Sequence, residues 1–385
     1  MGWQETGPLI ERMKFVTEYR TGRWSMTELC ERYGVSRPTG YKWVERFEQE
    51  GPPGLQDRSR APQTCPHRTR ERTLERLLEL KRRFPTFGAK KLRAHLKRER
   101  WPDIPAVSTV HNFLERQGLV EQKKTRKKSP HPGKPYVDAD APNVVWAVDF
   151  KGEFKTKNGV YCNPLTIMDL HSRYIIKIKG LLSTEMQPVI DNFHDAFRRH
   201  GLPDAILSDN GTPFASTGFM GFTKLNVWWS QLGIRHLRTQ PSSPQQNGIL
   251  ERMHRELKAA ATKPPAKDLA AQQRLFNDFR HTYNAHRPHE ALADAVPADL
   301  YVRSERKLPT QPHRYEYPQH FLTRTVSSKG SVRFKGPGVY ISQALTGRTV
   351  GFEEVDDGIW NLYLDDRILA RLDERDMRFK EYVRV

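Results

Sequence analysis

Two acidic residues stand where apolar, strand-forming runs end, and a third stands at the beginning of a helix-like run. Asp149 closes VVWAVD, and Asp209 closes AILSD just before an Asn-Gly turn signal. Glu251 lies in NGILERMHREL, where apolar residues recur at helical spacing. We therefore predict an α/β fold with a mixed sheet in which two strand ends and one helix aim three carboxylates at a common point.

Three carboxylates in this arrangement are candidate metal ligands and catalytic residues. Carboxylate oxygens suit the hard cations Mg²⁺ or Mn²⁺, and a pair of such ions in one site serves in-line phosphoryl displacement. A single Asp after an apolar strand is more often a turn or cap residue. The set of Asp149, Asp209 and Glu251 is what indicates catalysis.

The segments around these acids, WAVDF, SDNGTPF and PSSPQQNGILERMHREL, carry a family resemblance. They resemble the DDE superfamily of transposases and retroviral integrases, and in particular bacterial insertion-sequence transposases with an integrase-type core. The resemblance implies an RNase H-like fold and metal-ligand roles for the three acids. The stretch between Asp209 and Glu251 is longer than is common in the family, and the surplus falls in ASTGFMGFTKLNVWW.

The charge of the chain points to a polyanionic partner. The formal net charge is +19, and most of the excess lies in residues 1–143. This favours nucleic acid over a uniformly basic surface. Three widely spaced cysteines indicate neither a disulfide framework nor a zinc site. Without a membrane-length apolar segment or a signal peptide, we expect a cytoplasmic protein that binds no membrane.

Residues 1–52 are predicted to be a helix-turn-helix domain and residues 53–69 a linker. Ser25 and Ser36 are expected N-caps, and Gly34 provides the turn before the third helix. The exposed start of that helix supplies the candidate DNA contacts Arg37, Thr39, Tyr41 and Lys42. The alternative is a three-helix bundle that binds protein.

Residues 70–120 are predicted to form a second helix-turn-helix domain, with Ser108 capping its last helix. Its candidate DNA contacts are Thr109, His111 and Asn112. A basic linker, 121–142, follows and is expected to lie on phosphates or to be a solvated tail. Its candidate DNA contacts are Lys123, Lys124, Arg126, Lys127 and Lys128.

Residues 143–300 are predicted to be the RNase H-like core. On the helix of Glu251, helical spacing aligns Asn247, Arg255 and Lys258 as a DNA-facing stripe, with His254 as a further candidate. The segment YNAHRPHEAL is expected to close the core or to touch DNA. A linker, 301–320, leads to residues 321–385, whose short β-type runs indicate a small antiparallel barrel, SH3-like by the resemblance, for binding DNA or protein.

The resemblance implies a transposase that cleaves transposon ends and transfers the freed 3′-OH into target DNA. The expected partners are double-stranded DNA, namely the terminal inverted repeats and the target, and further copies of the chain in a dimer or higher oligomer. Two alternatives stay open. One is a catalytically silent DNA-binding regulator derived from a transposase, and the other is an RNase H-like nuclease that cuts without joining.

Overall fold

The computed structural model describes residues 7–59, 68–120, 138–216, 221–239, 248–310 and 315–382. The chain divides into two compact units, Met1–Arg68 and Thr69–Val385. The first unit holds one three-helix domain. The second holds another helical domain, the mixed-sheet core and a β-rich carboxy-terminal part.

The first unit contains three helices: α1 (Pro8–Arg20), α2 (Met26–Tyr33) and α3 (Arg37–Glu50). Ser25 caps α2 in a capping box with Glu28, and Gly34 ends α2 in the left-handed conformation at φ 61°. Ser36 takes the N-cap position of α3, but its hydroxyl lies 2.9 Å from that of Thr39 and does not bind the helix backbone. The predicted helix-turn-helix pattern is therefore present, with one cap fewer than expected.

The core of this unit is built from one face of each helix. Trp43 and Val44 are buried and Phe47 packs against them, as expected for the inner face of α3. The structure corrects the predicted linker at its start. Leu55 lies in a single 3₁₀ turn, Pro52–Leu55, and is fully buried in the same cluster. Burial of this apolar side chain fixes the start of residues 53–69 onto the domain.

Gly40 is the tightest point between α3 and the other two helices. A Cβ added there would lie 2.7 Å from Met26 Sδ, 2.8 Å from Cys30 Sγ and 2.9 Å from Phe15 Cζ. We expect Gly40→Val to destabilise this unit by about 1–3 kcal/mol because overpacking forces neighbours apart. Thermal unfolding of residues 1–68 measures the loss. Gly7→Ala is the control, since among the described residues no atom beyond its chain neighbours lies within 4 Å of its added Cβ. Equal stability of both variants would contradict the expectation.

The second unit begins with α4 (Glu71–Arg83), α5 (Ala89–Arg98) and α6 (Val107–Arg116). Leu77, Leu80 and Leu114 are among the buried residues that join these helices. The prediction that Ser108 caps α6 is wrong, because α6 begins at Val107 with Ala106 at the N-cap and no side-chain cap. Arg93 Nε donates to the carbonyl of Pro105 at 3.0 Å just before α6, and Ser108 is already the second residue of the helix.

A mixed sheet forms the centre of the second unit. Its strands are β1 (Val145–Phe150), β2 (Phe154–Lys155), β3 (Tyr161–Asp169), β4 (Ile175–Leu181), β5 (Ala205–Ser208) and β6 (Arg235–Arg238). The strand order is β2-β3-β1-β5-β6, with β4 also paired to β3. Strands β1, β3 and β4 are antiparallel, whereas β1, β5 and β6 run parallel. This antiparallel-then-parallel order is the RNase H-like arrangement that the sequence predicts.

Helices cover both faces of the sheet. These are α7 (Met186–His200), α8 (Lys224–Gln231), α9 (Gly248–Ala261), α10 (Leu269–His286) and the short α11 (Pro297–Leu300). Along β1 the side chains alternate: Trp146 and Val148 pack with α7 and α8, whereas Ala147 packs with α9 and α10. The central strand is thus buried on both faces, as its unbroken apolar run requires.

The α4–α6 domain is docked on the end of α10. Arg98 pairs with Asp299 and Lys90 pairs with Glu290 at 3.3 Å, while the ring of Phe84 lies 5.3 Å from that of His286. Asn284, in the segment YNAHRPHEAL, is buried and bonds both N–H and C=O of Ile175 in β4. Its contacts are those of structural closure.

The carboxy-terminal part is β-rich. Strands β7 (Leu322–Thr325), β10 (Thr349–Asp356), β11 (Ile359–Leu364), β12 (Arg367–Asp373) and β13 (Arg378–Tyr382) form an antiparallel sheet beside the hairpin of β8 (Ser331–Arg333) and β9 (Gly338–Tyr340). Phe222 and Val227 of the core are buried in this sheet's apolar cluster. The extra residues between Asp209 and Glu251 therefore join the core to the carboxy-terminal strands.

Across the described ranges, no helix combines the length and the apolar character needed to cross a membrane.

Candidate active site

Asp149 and Asp209 lie at the same edge of the sheet. Strands β1 and β5 are parallel neighbours, with Ala147 opposite Leu207. Each Asp follows two residues further along its strand direction, so both carboxylates emerge where the two strands end. Asp149 shares the strand face of Ala147, which is the face covered by α9 and α10.

Helix α9 brings Glu251 to this edge. Leu250, Met253 and Leu257 are fully buried on the inner side of the helix, in one cluster with Ala147 of β1. Glu251 lies in the first turn of α9 and is exposed. The apolar stripe that docks the helix on the sheet therefore also sets the position of the carboxylate.

Asp149 feels the charges of the other two acids. Burial, and less strongly the nearby charges of Asp209 and Glu251, raise the pKa of Asp149 to about 7 against the opposing hydrogen bond of the Phe150 backbone. Like charges raise a carboxyl pKa only over short range. Asp209 and Glu251 therefore lie near enough to Asp149 to affect its pKa.

The donor set suits a hard divalent cation, because three carboxylates supply only oxygen and repel one another until a cation neutralises them. Within the ranges that the structure describes, no three His, Cys, Asp or Glu side chains converge closely enough to form a ligating group.

The raised pKa of Asp149 gives a pH-dependent stability. Between the ordinary pKa of 3.8 and about 7, the folded chain keeps a proton that the unfolded chain has released. The protonated Asp149 side chain therefore adds to the free energy of unfolding at low pH, and this contribution is lost as pH rises through 7. We expect Asp149→Asn to be more stable than wild type at pH 8 in a chelator, by roughly 2 kcal/mol.

Calorimetry at pH 5 and pH 8 measures this difference. The control is Asp191→Asn, which changes an exposed carboxylate on α7. Added Mg²⁺ should reduce the gap because it stabilises only the chain that binds it. A lower melting temperature for Asp149→Asn than for wild type at pH 8 would contradict the assignment.

His254, a candidate DNA contact, is instead buried. Its side chain is 10% exposed, and Nε2 lies 2.7 Å from the hydroxyl of Thr166. Nδ1 faces the carboxylate of Asp149 at 3.8 Å. Helical spacing explains the difference, because His254 follows Met253 and precedes Leu257 on the docked side of α9. The prediction that it contacts DNA is wrong for this conformation.

Thr166 and Ser208 are two site residues that the sequence did not reveal. The Thr166 hydroxyl donates to the backbone carbonyl of Asp149 at 2.9 Å, and the Ser208 hydroxyl donates to that of Asp209 at 2.8 Å. Ser208 precedes its Asp directly, a signal that could have been noticed. Thr166 lies opposite Asp149 only through strand pairing.

Cationic side chains follow the acids just after β1 and along α9. Arg255 and Lys258 on α9 are exposed as predicted, while Asn247 falls outside the described residues. Burial lowers the pKa of Lys151, and the positive charges of Lys258 and Lys263 lower it further. Lys151 and Lys263 were not among the sequence candidates. Lys151, Lys258 and Lys263 therefore form a cluster of positive charge.

The candidate DNA contacts of the two helix-turn-helix domains differ in their exposure. Arg37, Tyr41, Lys42, Thr109, His111 and Asn112 are exposed, and Thr39 is half-buried. The exposed side chains near the starts of α3 and α6 are accessible to a ligand. The predicted contacts Lys123, Lys124, Arg126, Lys127 and Lys128 lie outside the described residues.

Four protein families match this chain. Residues 11–63 match a helix-turn-helix domain family, and residues 39–114 match a homeodomain-like family. Residues 139–244 and 232–297 match two integrase core domain families. The order is that of two DNA-binding modules followed by the core that contains all three acids.

Curated relatives include two insertion-element proteins. The chain is 27% identical over 229 residues to an uncharacterized 39.2 kDa protein of insertion element IS476 from Xanthomonas euvesicatoria, covering 58% of this chain and 63% of that protein. It is 24% identical over 233 residues to an uncharacterized 31.7 kDa protein of insertion element IS407 from Burkholderia multivorans, covering 59% of this chain and 80% of that protein.

Among solved structures, the HTLV-2 integrase catalytic core domain in complex with magnesium aligns at 18% identity with a TM-score of 0.35. The alignment covers 43% of this chain and 100% of the integrase chain.

Proposed function

Because this chain is an insertion-sequence transposase of the DDE superfamily, with an integrase core behind helix-turn-helix domains, we propose that it cleaves the ends of its element and joins them to target DNA. The observation that carries the proposal is the edge where Asp149 and Asp209 end parallel strands beside Glu251 of α9. There the charges of Asp209 and Glu251 help to raise the pKa of Asp149.

The three carboxylates would hold Mg²⁺ or Mn²⁺, two ions in the active site. When bound, such ions activate an attacking oxygen and stabilise a leaving one. The work of the chain is to orient the carboxylates and to seat the scissile phosphate. Lys151, two residues after Asp149, would supply positive charge for that phosphate together with Arg255 and Lys258 on the helix of Glu251.

The proposed chemistry is one displacement used twice. First, water attacks the phosphorus at the element's end, the bond to the 3′ oxygen breaks, and a 3′-OH is released. That hydroxyl then attacks a target phosphodiester, forms the new bond and releases a target 3′-OH. Because each step exchanges one oxygen for another at phosphorus, one site can serve both.

The remaining modules are assigned roles in DNA binding and assembly. Tandem helix-turn-helix domains would hold the terminal inverted repeat, since the second contact forms at high effective concentration. We assign residues 321–385 to an SH3-like module on the basis of their antiparallel strands and apolar cluster. Joining two ends to one target needs two active sites, so the active species would be a dimer or higher on DNA.

The test is a strand-transfer assay with the full chain. A labelled duplex that carries the element's end with its 3′-OH exposed is incubated with a supercoiled plasmid and Mg²⁺. We expect end sequences to become joined to plasmid and random duplex to stay unjoined. Omitting the metal is the control for the metal site.

Two other outcomes identify the alternatives. Metal-dependent cutting at the end without any joined product would indicate a nuclease. Specific end binding with neither cutting nor joining would indicate a DNA-binding regulator. Complementation between an Asp149→Asn chain and a chain defective in α3 would show that one copy binds an end while another cuts it.

A further inference from the structure

The two catalytic aspartates are each held by the same three-part hydrogen-bond arrangement. At Asp149, the backbone carbonyl accepts from the Thr166 hydroxyl, which lies 2.7 Å from His254 Nε2. At Asp209, the backbone carbonyl accepts from the Ser208 hydroxyl, which lies 2.8 Å from His236 Nε2. The elements differ, because His254 is on α9 and His236 is on β6.

The hydrogen-bond directions follow from the hydroxyls. A hydroxyl has one hydrogen and two lone pairs. Thr166 and Ser208 each donate that hydrogen to an aspartate carbonyl, so each can only accept from its histidine. Both rings must therefore carry their proton on Nε2. No atom of the described residues pairs with the buried Nδ1 of His236, and Nδ1 of His254 lies 3.8 Å from Asp149 Oδ2.

Both arrangements lie in rigid surroundings. Thr166 and Ser208 are fully buried, and each sits within a strand of the mixed sheet. The His236 ring packs edge-on against Trp229, with ring centroids 5.2 Å apart. His254 is anchored by its position among the buried residues of α9. Side chains fixed in this way can transmit orientation to the residues they bind.

We propose that His254 and His236 are matched positioning residues that fix, through Thr166 and Ser208, the main-chain orientation from which Asp149 and Asp209 present their carboxylates to the metal ions. The inference rests on the proposed function, because it assigns a task toward a metal site. Neither histidine touches the ions or DNA. Each acts through the hydroxyl of Thr166 or Ser208, which donates to the backbone carbonyl of the aspartate.

The first test measures metal affinity, since outer hydrogen bonds to metal ligands typically change it by about 10–100-fold. Mn²⁺ binding by the full chain on end DNA is followed by electron paramagnetic resonance, and binding that Asp149→Asn abolishes defines the active site. We expect Thr166→Val and Ser208→Ala to weaken this binding at least about tenfold. Binding is measured well below each variant's melting temperature, so that a change in aspartate orientation is separated from unfolding.

Conservative variants are the matched controls. Thr166→Ser keeps the hydroxyl, and His254→Gln and His236→Gln keep an N–H donor near the position of Nε2. These three should bind Mn²⁺ within about threefold of wild type, whereas His254→Leu should resemble Thr166→Val. If these residues were merely structural, Thr166→Val, Ser208→Ala and His254→Leu would lower the melting temperature without changing the Mn²⁺ affinity of the folded chain.

The second measurement reads the hydrogen bonds directly and needs no metal. In ¹⁵N-histidine-labelled protein, the signals lost in His254→Gln and His236→Gln should show the Nε2–H tautomer. An Nδ1–H tautomer at either ring overturns the proposal. Wild-type Mn²⁺ affinity in Thr166→Val and Ser208→Ala also overturns it. So does a Gln or Ser variant that binds Mn²⁺ as weakly as Thr166→Val and Ser208→Ala. If wild type binds no Mn²⁺ that depends on Asp149, the proposed function fails and the metal-positioning role fails with it, while the tautomers still report whether the hydrogen bonds exist.

Discussion

Replacing any one of the three acids by its amide is expected to abolish both cleavage and strand transfer, with rates at least about a thousandfold below wild type. The variants are Asp149→Asn, Asp209→Asn and Glu251→Gln. An amide oxygen is neutral and binds a hard cation poorly. The losses should be equally complete because the acids approach one site from a central strand, its parallel neighbour and a docked helix.

Binding of end DNA should survive in all three variants, which separates chemistry from recognition. The control is Glu153→Gln, an exposed carboxylate close to Asp149 in sequence. Cleavage of labelled end DNA and joining to plasmid are followed in Mg²⁺, and DNA binding is followed separately. Near-wild-type joining by any one amide variant would remove that residue from the site.

The order of elements in the core was predictable because each carries a strong local pattern. The apolar run ending at Asp149 becomes a strand buried on both faces, and the stripe of Leu250, Met253 and Leu257 becomes the docked side of α9. Helix α8 begins at Lys224 because Thr223 and Asn226 form a capping box there. Local chemistry of this kind decides where elements end.

Features that depend on pairing between distant segments were not predictable from one sequence. Thr166 reaches Asp149 only because β3 pairs with β1 in one particular register. His254 looked like a DNA contact because its neighbours on α9 are basic, whereas the sheet buries it. The docking of Phe222 and Val227 on the carboxy-terminal strands gives the longer stretch before Glu251 a structural use that its composition did not indicate.

The amino-terminal domains are expected to bind the element's end in a strongly salt-dependent manner. The exposed starts of α3 and α6 and the positive excess of residues 1–143 motivate this expectation. If six to ten phosphates are neutralised, affinity should fall about 10³–10⁵-fold between 50 and 200 mM salt. The full chain carrying Asp149→Asn is the suitable protein, because α4–α6 are docked on the core through Arg98 and Phe84.

Substituting two lysines of the first unit, one at a time, distinguishes a specific DNA contact from a general effect of positive charge. Lys42→Ala removes an exposed cation from the start of α3, and we expect it to lower the salt slope by about one and to weaken end binding. Lys14→Ala removes an exposed cation from α1, where it pairs with Glu11 at 3.2 Å, and should leave the slope unchanged. Equal effects of the two substitutions, or equal binding of end and random duplex by the parent chain, would show that α3 does not read the element's end. A difference between them would place the recognition surface on α3, because both variants lose the same charge from the same three-helix domain.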